Sequence, residues 1–356
     1  MSKFRSGVLY GQELIDLYAD AKQNGYALPG VNAVGTSSVN GILETAAMVN
    51  SPVIVQLSFG GGHFYAGKSL KNDNLQASAA GCISAAMHVH QVAAMYGVPV
   101  ILHTDHCSLE NIAWIDHMLD FQETYYAQHG RPLFSSHMLD LSEETLEKNI
   151  EICEQYLTRM SKLDIGLEIE LGITGGEEDG VDNSTVDSDK LYTHPTEVYY
   201  AYDKLSKISQ NFTIAAAFGN VHGVYRPGNV KLSVEILENS QRYVEEQLGK
   251  QGEKSVSFVF HGGSGSSAED IARSIEYGVI KMNLDTDMQW AFSCGVRDYY
   301  AQYKNYLATQ IGNPDGEDLP NKKYYDPRKS LRAAEEAFVE RLKQSFADLH
   351  CIGRNQ

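Results

Sequence analysis

"VPVILHTDHC" (98–107) decides how the chain is read. It opens as an apolar strand and then places two histidines, a threonine and an aspartate within four residues. A buried strand that ends in acids and ligands is informative only if other strands do the same. Eight apolar runs with strand character occur, at 28–34, 52–58, 98–106, 133–140, 165–172, 212–218, 255–262 and 278–285. Amphipathic, helix-like segments lie between them, such as "SVNGILETAAMV", "SEETLEKNIEICEQYLTRMSK" and "SAEDIARSIEYG". Ser142 and Ser267 are read as N-caps, each with acids in the turn that follows. Strand–helix alternation predicts a parallel sheet, and eight strands are the number that closes a (β/α)8 TIM barrel. A doubly wound open sheet is the rival, but no strand–GxGxxG–helix stands in the first unit. The chain is expected to be one barrel domain over 1–356, with an added N-terminal helix at 1–25. A polar, Pro-rich loop at 312–329 and a last helix complete the C-terminal addition, 312–356.

The strand ends repeat the pattern of the opening stretch. Strand two ends in Ser58, three in Asp105 and His106, four in Asp140. Strand five carries Glu168 and Glu170, and six runs into "GNVHG" with His222. Seven ends in "FHGGSGS" with His261, and eight in Asn283 and Asp285. In a parallel barrel these ends converge on one rim, where such enzymes place their chemistry. His106, His222 and His261, from three strands, fit a catalytic zinc with one open position. A lone strand-end histidine is usually structural; three that converge are not. Asp140, Glu170 and Glu177 suit a second cation nearby. The Gly/Ser turn "HGGSGS", followed by Asn283, Asp285 and Thr286, fits a phosphate site at the loops after strands seven and eight. "GITGGEEDGVDNS" (172–184) reads as a mobile lid that brings Glu177 or Glu178 to the site as a base. His88 and His90 are read as structural, His103 as core or as backing to the ligands. Lys281, the only strand lysine suited to a Schiff base, is read as structural or near the phosphate.

Composition removes other classes. The 356 residues carry a net charge of -17, with no basic footprint for nucleic acid. Five widely spaced cysteines without C-x-x-C argue for a reducing compartment rather than a disulfide framework. The first residues have no apolar h-region, and no stretch reads as a membrane span, so a cytoplasmic protein is expected.

"VILHTDHC" and "LEIELGITGGEE" resemble the two signature stretches of class II, zinc-dependent fructose-bisphosphate aldolases. "GNVHGVYRPGN", "FVFHGGSGS", "KMNLDTDMQW" and "GNPDGEDLPNKKYYDPR" are similar to the same family, and the likeness covers nearly the whole chain. "SSHMLDLSEE" and "NKKYYDPR" resemble its longer, homodimeric subclass. The resemblance implies aldol cleavage of fructose 1,6-bisphosphate to dihydroxyacetone phosphate and glyceraldehyde 3-phosphate, and the reverse. It gives the zinc to His106, His222 and His261, and a second metal position to Asp140, Glu170 and Glu177. It makes Asp105 the proton donor and Glu178 the base. Gly223, Gly262, Ser264, Asn283, Asp285 and Thr286 would hold the dihydroxyacetone phosphate end. Ser58, Lys322 and Arg328 would meet the other phosphate, with Asn32 near the substrate. A monovalent cation, Na+ or K+, would sit on carbonyls near Val221, Gly223 and Gly262. The runner-up is an aldolase for tagatose 1,6-bisphosphate. A metal hydrolase on this barrel commonly has H-x-H on strand one, where "LPGVNAV" has no histidine. A non-catalytic relative would be expected to lose a ligand, and none is lost.

Overall fold

The computed structural model describes residues 2–178, 181–182, 191–222, 232–263 and 265–356; at 175–178, 181–182 and 222 the backbone alone is described. Eight parallel strands close on themselves: β1 (Leu28–Asn32), β2 (Val53–Leu57), β3 (Pro99–Thr104), β4 (Ser136–Leu139), β5 (Gly166–Leu171), β6 (Phe212–Ala216), β7 (Phe258–Phe260) and β8 (Val279–Leu284). β8 pairs back to β1 with Asn283 opposite Gly30, which makes the sheet a barrel. Helices between successive strands complete a (β/α)8 TIM barrel.

The strands are buried on both faces, so their sequences are apolar throughout rather than alternating. Polarity appears where alternation turns a side chain inward. On β5, Glu168 and Glu170 are two apart and share the interior face, while Leu167, Ile169 and Leu171 face the helices. On β3 and β4 the register sets His103 opposite Ser136, and Thr104 opposite His137. His103 and Ser136 hydrogen-bond at 2.8 Å on one face. Thr104 and His137 do so at 2.7 Å on the other, where His137 also meets Gln122 of the helix Ile112–His129.

Three expectations of detail are corrected. Residues 1–25 are not one helix: Gly7–Val8 is a strand on the lower half of β3, and the helix runs Gln12–Asn24. That helix buries Leu14, Leu17, Tyr18 and Ala21. Ser142 is not an N-cap. Its hydroxyl donates to Asp140 Oδ1 at 2.7 Å, and Thr145 caps the helix Leu146–Met160 by accepting from Lys148 N–H. Acids followed both residues, so the local pattern did not separate them. The polar segment 312–329 is not a plain loop. Ile311–Asn313 and Gly316–Pro320 form an antiparallel hairpin, Lys322–Tyr325 a short helix, and the last helix already starts at Pro327. Ser267 caps Ala268–Glu276 by accepting from Asp270 N–H at 3.1 Å.

The helix Pro327–Asp348 packs on Thr36–Met48 and Thr286–Gln302. Gly295 permits the second contact, since a Cβ there would come within 2.5 Å of the Ala333 carbonyl oxygen. Among the described residues no helix is long and apolar enough to cross a membrane. No disulfide joins the five cysteines.

Candidate active site

Asp105 and His106 follow β3 directly. Neighbours in a strand point to opposite faces, yet both of these contribute to one donor cluster with His261. The backbone accounts for it. His106 has φ +38°, a left-handed conformation that breaks the alternation. A non-glycine residue held there carries strain, and strain of this kind concentrates at functional sites.

The His106 and His261 rings lie 4.7 Å apart, centre to centre. Glu170 Oε2 is 3.2 Å from His261 Nδ1 and 3.5 Å from His106 Nδ1. Asp140 Oδ2 is 3.0 Å from His106 Nδ1. Donors about 2.0–2.2 Å from a tetrahedral zinc stand roughly 3.4 Å from one another. The two imidazoles and the carboxylates therefore have the chemistry and spacing that a divalent cation takes. The electrostatics agree. Burial would lower the His261 pKa, but the Glu170 carboxylate, with Glu168, outweighs it and holds it up at about 9. Burial would raise Asp140, but hydrogen bonds from His106 and Ser142 hold its carboxyl well below the usual range.

Asp105 is buried and accepts Gln56 Nε2–H at 2.9 Å on one oxygen and Asn283 Nδ2–H at 3.0 Å on the other. Gln56 also donates to Asn32 Oδ1 at 2.5 Å, which ties β1, β2 and the end of β3 together. An open cleft of about 320 Å³ is lined by Asn32, Ser58, Gly61, Lys68, Asp285 and Gln289, among others. Ser58 caps the helix Phe59–Ala66, and Asp285 stands just before Thr286–Gln302. Gly262 has φ +62°, and a Cβ there would meet the Val221 carbonyl oxygen at 2.5 Å, so only glycine lets these two chain segments touch.

Other expected residues are placed in part or not at all. Gly223 and Ser264 lie outside the described residues. The side chains of His222, Glu177 and Glu178 are not described, but their backbones are. Gly175–Glu178 is a strand, parallel to Val221–His222 and antiparallel to Val181–Asp182, where the sequence suggested only a mobile lid. The strand carrying both glutamates thus adjoins the one carrying His222. Lys322 is exposed. Arg328 is exposed too and pairs with Asp326 at 2.5 Å, so the structure does not bring it to the cleft. Four residues outside the expected ligand and substrate sets belong to the site or its backing: Gln56 and Lys68, which the sequence reading did not single out, Glu168, read only as a strand-end acid, and Lys281, read as structural or near the phosphate. Gln56 and Lys281 sit inside strands, where strand-end reading does not look. Lys281 Nζ lies 2.8 Å from Glu168, both fully buried. His88 and His90 bond Asn40 and the Leu133 carbonyl, consistent with structural roles.

Comparison with known proteins agrees with this geometry. The family profile "Fructose-bisphosphate aldolase class-II" matches residues 12–354. The chain is 58% identical to fructose-bisphosphate aldolase class 2 of Escherichia coli K12, over 98% of this chain and 97% of that one. It is 56% identical to fructose-bisphosphate aldolase of Campylobacter jejuni, over 99% and 98%. The crystal structure of fructose-bisphosphate aldolase from Campylobacter jejuni superposes with a TM-score of 0.90 at 54% identity, covering 99% of this chain and 98% of that one. The chain belongs to the class II fructose-bisphosphate aldolase family.

Proposed function

We propose that the chain cleaves fructose 1,6-bisphosphate to dihydroxyacetone phosphate and glyceraldehyde 3-phosphate, and condenses them again, in glycolysis and gluconeogenesis. The observation that carries this reading is the grouping of His106, His261, Glu170 and Asp140 beside Asp105 at the rim of the barrel. His106, His222 and His261 would hold zinc, with Asp140, Glu170 and Glu177 as a second divalent position. When bound, zinc supplies a Lewis acid that polarises the substrate ketone and makes the neighbouring C–H acidic enough for a carboxylate to remove.

In this reading Glu178 is that carboxylate and takes the proton next to the ketone of dihydroxyacetone phosphate. Asp105 moves the other proton. Amide N–H groups from Gln56 and Asn283 bond both its oxygens and hold the carboxyl in place, and in cleavage it accepts the C4 hydroxyl proton from substrate. In condensation it returns that proton to the aldehyde oxygen. Gly223, Gly262, Ser264, Asn283, Asp285 and Thr286 bind the dihydroxyacetone phosphate end. Asn32, Ser58, Lys322 and Arg328 serve the other end, and Asn32 and Ser58 line the same cleft as Asp285. Na+ or K+ would sit on carbonyls of Val221, Gly223 and Gly262; the contact of Val221 with Gly262 supports that position. The chain works as one domain over 1–356, as a cytoplasmic homodimer, on sugar phosphates rather than nucleic acid or membrane. A coupled assay on fructose and tagatose 1,6-bisphosphates, with and without EDTA, tests the reading. Cleavage of the fructose substrate should vanish with EDTA and return with zinc. Full activity without metal would overturn the metal assignment, and a preference for the tagatose substrate the substrate assignment.

A further inference from the structure

Inside the barrel, behind the rim, Glu168 and Lys281 form a fully buried ion pair. Lys281 Nζ donates to both carboxylate oxygens, at 2.9 and 2.8 Å. Glu168 Oε1 also bonds His261 Nε2 at 2.9 Å. Oε2 receives Thr213 Oγ1–H at 3.4 Å and stands 3.6 Å from His103 Nε2. The other ring nitrogen of His261, Nδ1, faces Glu170 Oε2. The two faces of one imidazole thus meet different partners.

We propose that Glu168, paired with Lys281, is a positioning residue that fixes the ring orientation and tautomer of His261. The inference rests on the metal reading above. Once a cation displaces the Nδ1 proton, the acceptor at Nε2 keeps the remaining hydrogen on that nitrogen, so Nδ1 is the nitrogen turned to the donor cluster. Turning the ring over would set a C–H against the Glu168 carboxylate, so the orientation is locked as well. An imidazole that ligates a metal generally gives its other N–H to such a carboxylate, which raises its basicity. Lys281 is needed because a buried carboxylate without a cationic partner is strongly disfavoured. The competing view is that the pair merely fills the barrel interior.

Two double variants separate these views, because both remove the two charges together and nearly keep the volume. Glu168→Gln with Lys281→Met retains an acceptor for His261. Glu168→Leu with Lys281→Met has none. Zinc affinity is read by competition with a chromophoric chelator, alongside the melting temperature of the metal-free proteins. The leucine variant should bind zinc about 10- to 100-fold more weakly than wild type, with the glutamine variant between them. Both metal-free variants should melt at similar temperatures. A second measurement reads the tautomer in the wild type itself. In 15N-histidine-labelled, zinc-loaded wild type, His261 should be protonated at Nε2 only, its signals assigned by their loss in His261→Asn. Equal zinc affinity in all three proteins, or a wild-type His261 protonated at Nδ1, overturns the proposal. A wild type that binds no zinc overturns the metal reading itself, and this inference with it.

Discussion

His261 and His137 are equally hidden from solvent, at 1% and 0% exposure, and respond in opposite ways. Burial disfavours the charged form of each. At His261 the carboxylates of Glu170 and Glu168 reverse that effect and raise the pKa to about 9. At His137 burial acts with the neighbouring His103, and the pKa falls to about 3. Its bonded partners are neutral, the Thr104 hydroxyl and the Gln122 amide. Burial therefore says little about what a histidine does; the charge facing it says much. One ring stands between two carboxylates at a strand end, where a cation is favoured. The other joins the sheet to a helix.

The strongest way to break this comparison is to remove each ring in turn. His261→Ala should abolish tight zinc binding and lower kcat/KM by at least about 10²- to 10³-fold, the usual loss when charge stabilisation at a reacting oxygen is removed. His137→Gln should leave zinc content and turnover nearly unchanged. Zinc analysis and kcat/KM on fructose 1,6-bisphosphate check both. A large catalytic loss in His137→Gln would mean that the helix-facing histidine reaches the site after all.

The same rule applied to cations contrasts Lys281 with Arg328. Lys281 is locked between Glu168 oxygens in the interior. Arg328 is 88% exposed, and its guanidinium rests on Asp326 beside it in the chain. An exposed pair is weakly held and free to exchange its carboxylate for a phosphate, whose oxygens suit the planar fork of arginine. Arg328→Ala should lower kcat/KM on the bisphosphate by about 10- to 100-fold. On fructose 1-phosphate, which lacks the distal phosphate, the loss should be much smaller. An equal fall on both substrates would assign Arg328 to the fold instead.

What the sequence made legible follows from the range of its signals. All eight barrel strands stand inside the apolar runs, because parallel strands buried on both faces read as continuous hydrophobic stretches. The strand-end acids and histidines were visible because polar residues interrupt those runs at one end. The pairing of Glu168 with Lys281 and the role of Gln56 were not visible because their meaning lies in partners on other strands. The pair Glu168–Lys281 joins residues 113 apart in the chain, and Gln56–Asp105 residues 49 apart. The bend at His106 is equally silent, since nothing in "TDHC" announces a left-handed histidine. Thr145 rather than Ser142 became the cap because the Asp140 carboxylate took the Ser142 hydroxyl.

The finest test of the comparison is acid stability. In the unfolded chain His137 titrates near its ordinary value, about 6.5. In the fold it stays neutral down to about 3. Between these values the unfolded chain binds a proton that the folded protein refuses, so stability falls as pH falls. This contribution is fully present above about pH 6.5 and is lost as pH drops towards 3. At pH 5.5 a single group of this kind costs about 1.4 kcal/mol relative to pH 8. His137→Gln keeps an amide between Thr104 and Gln122 but cannot titrate. Urea unfolding of both proteins at pH 8 and 5.5, at one fixed zinc concentration, measures the difference. Asp140 and Glu168, whose carboxyls are also held low, contribute to both proteins and cancel. The variant should lose about 1.4 kcal/mol less than wild type between the two pH values. Identical losses would show that His137 accepts a proton inside the fold. Its neutral partners would then not set its charge, and the contrast with His261 would fail.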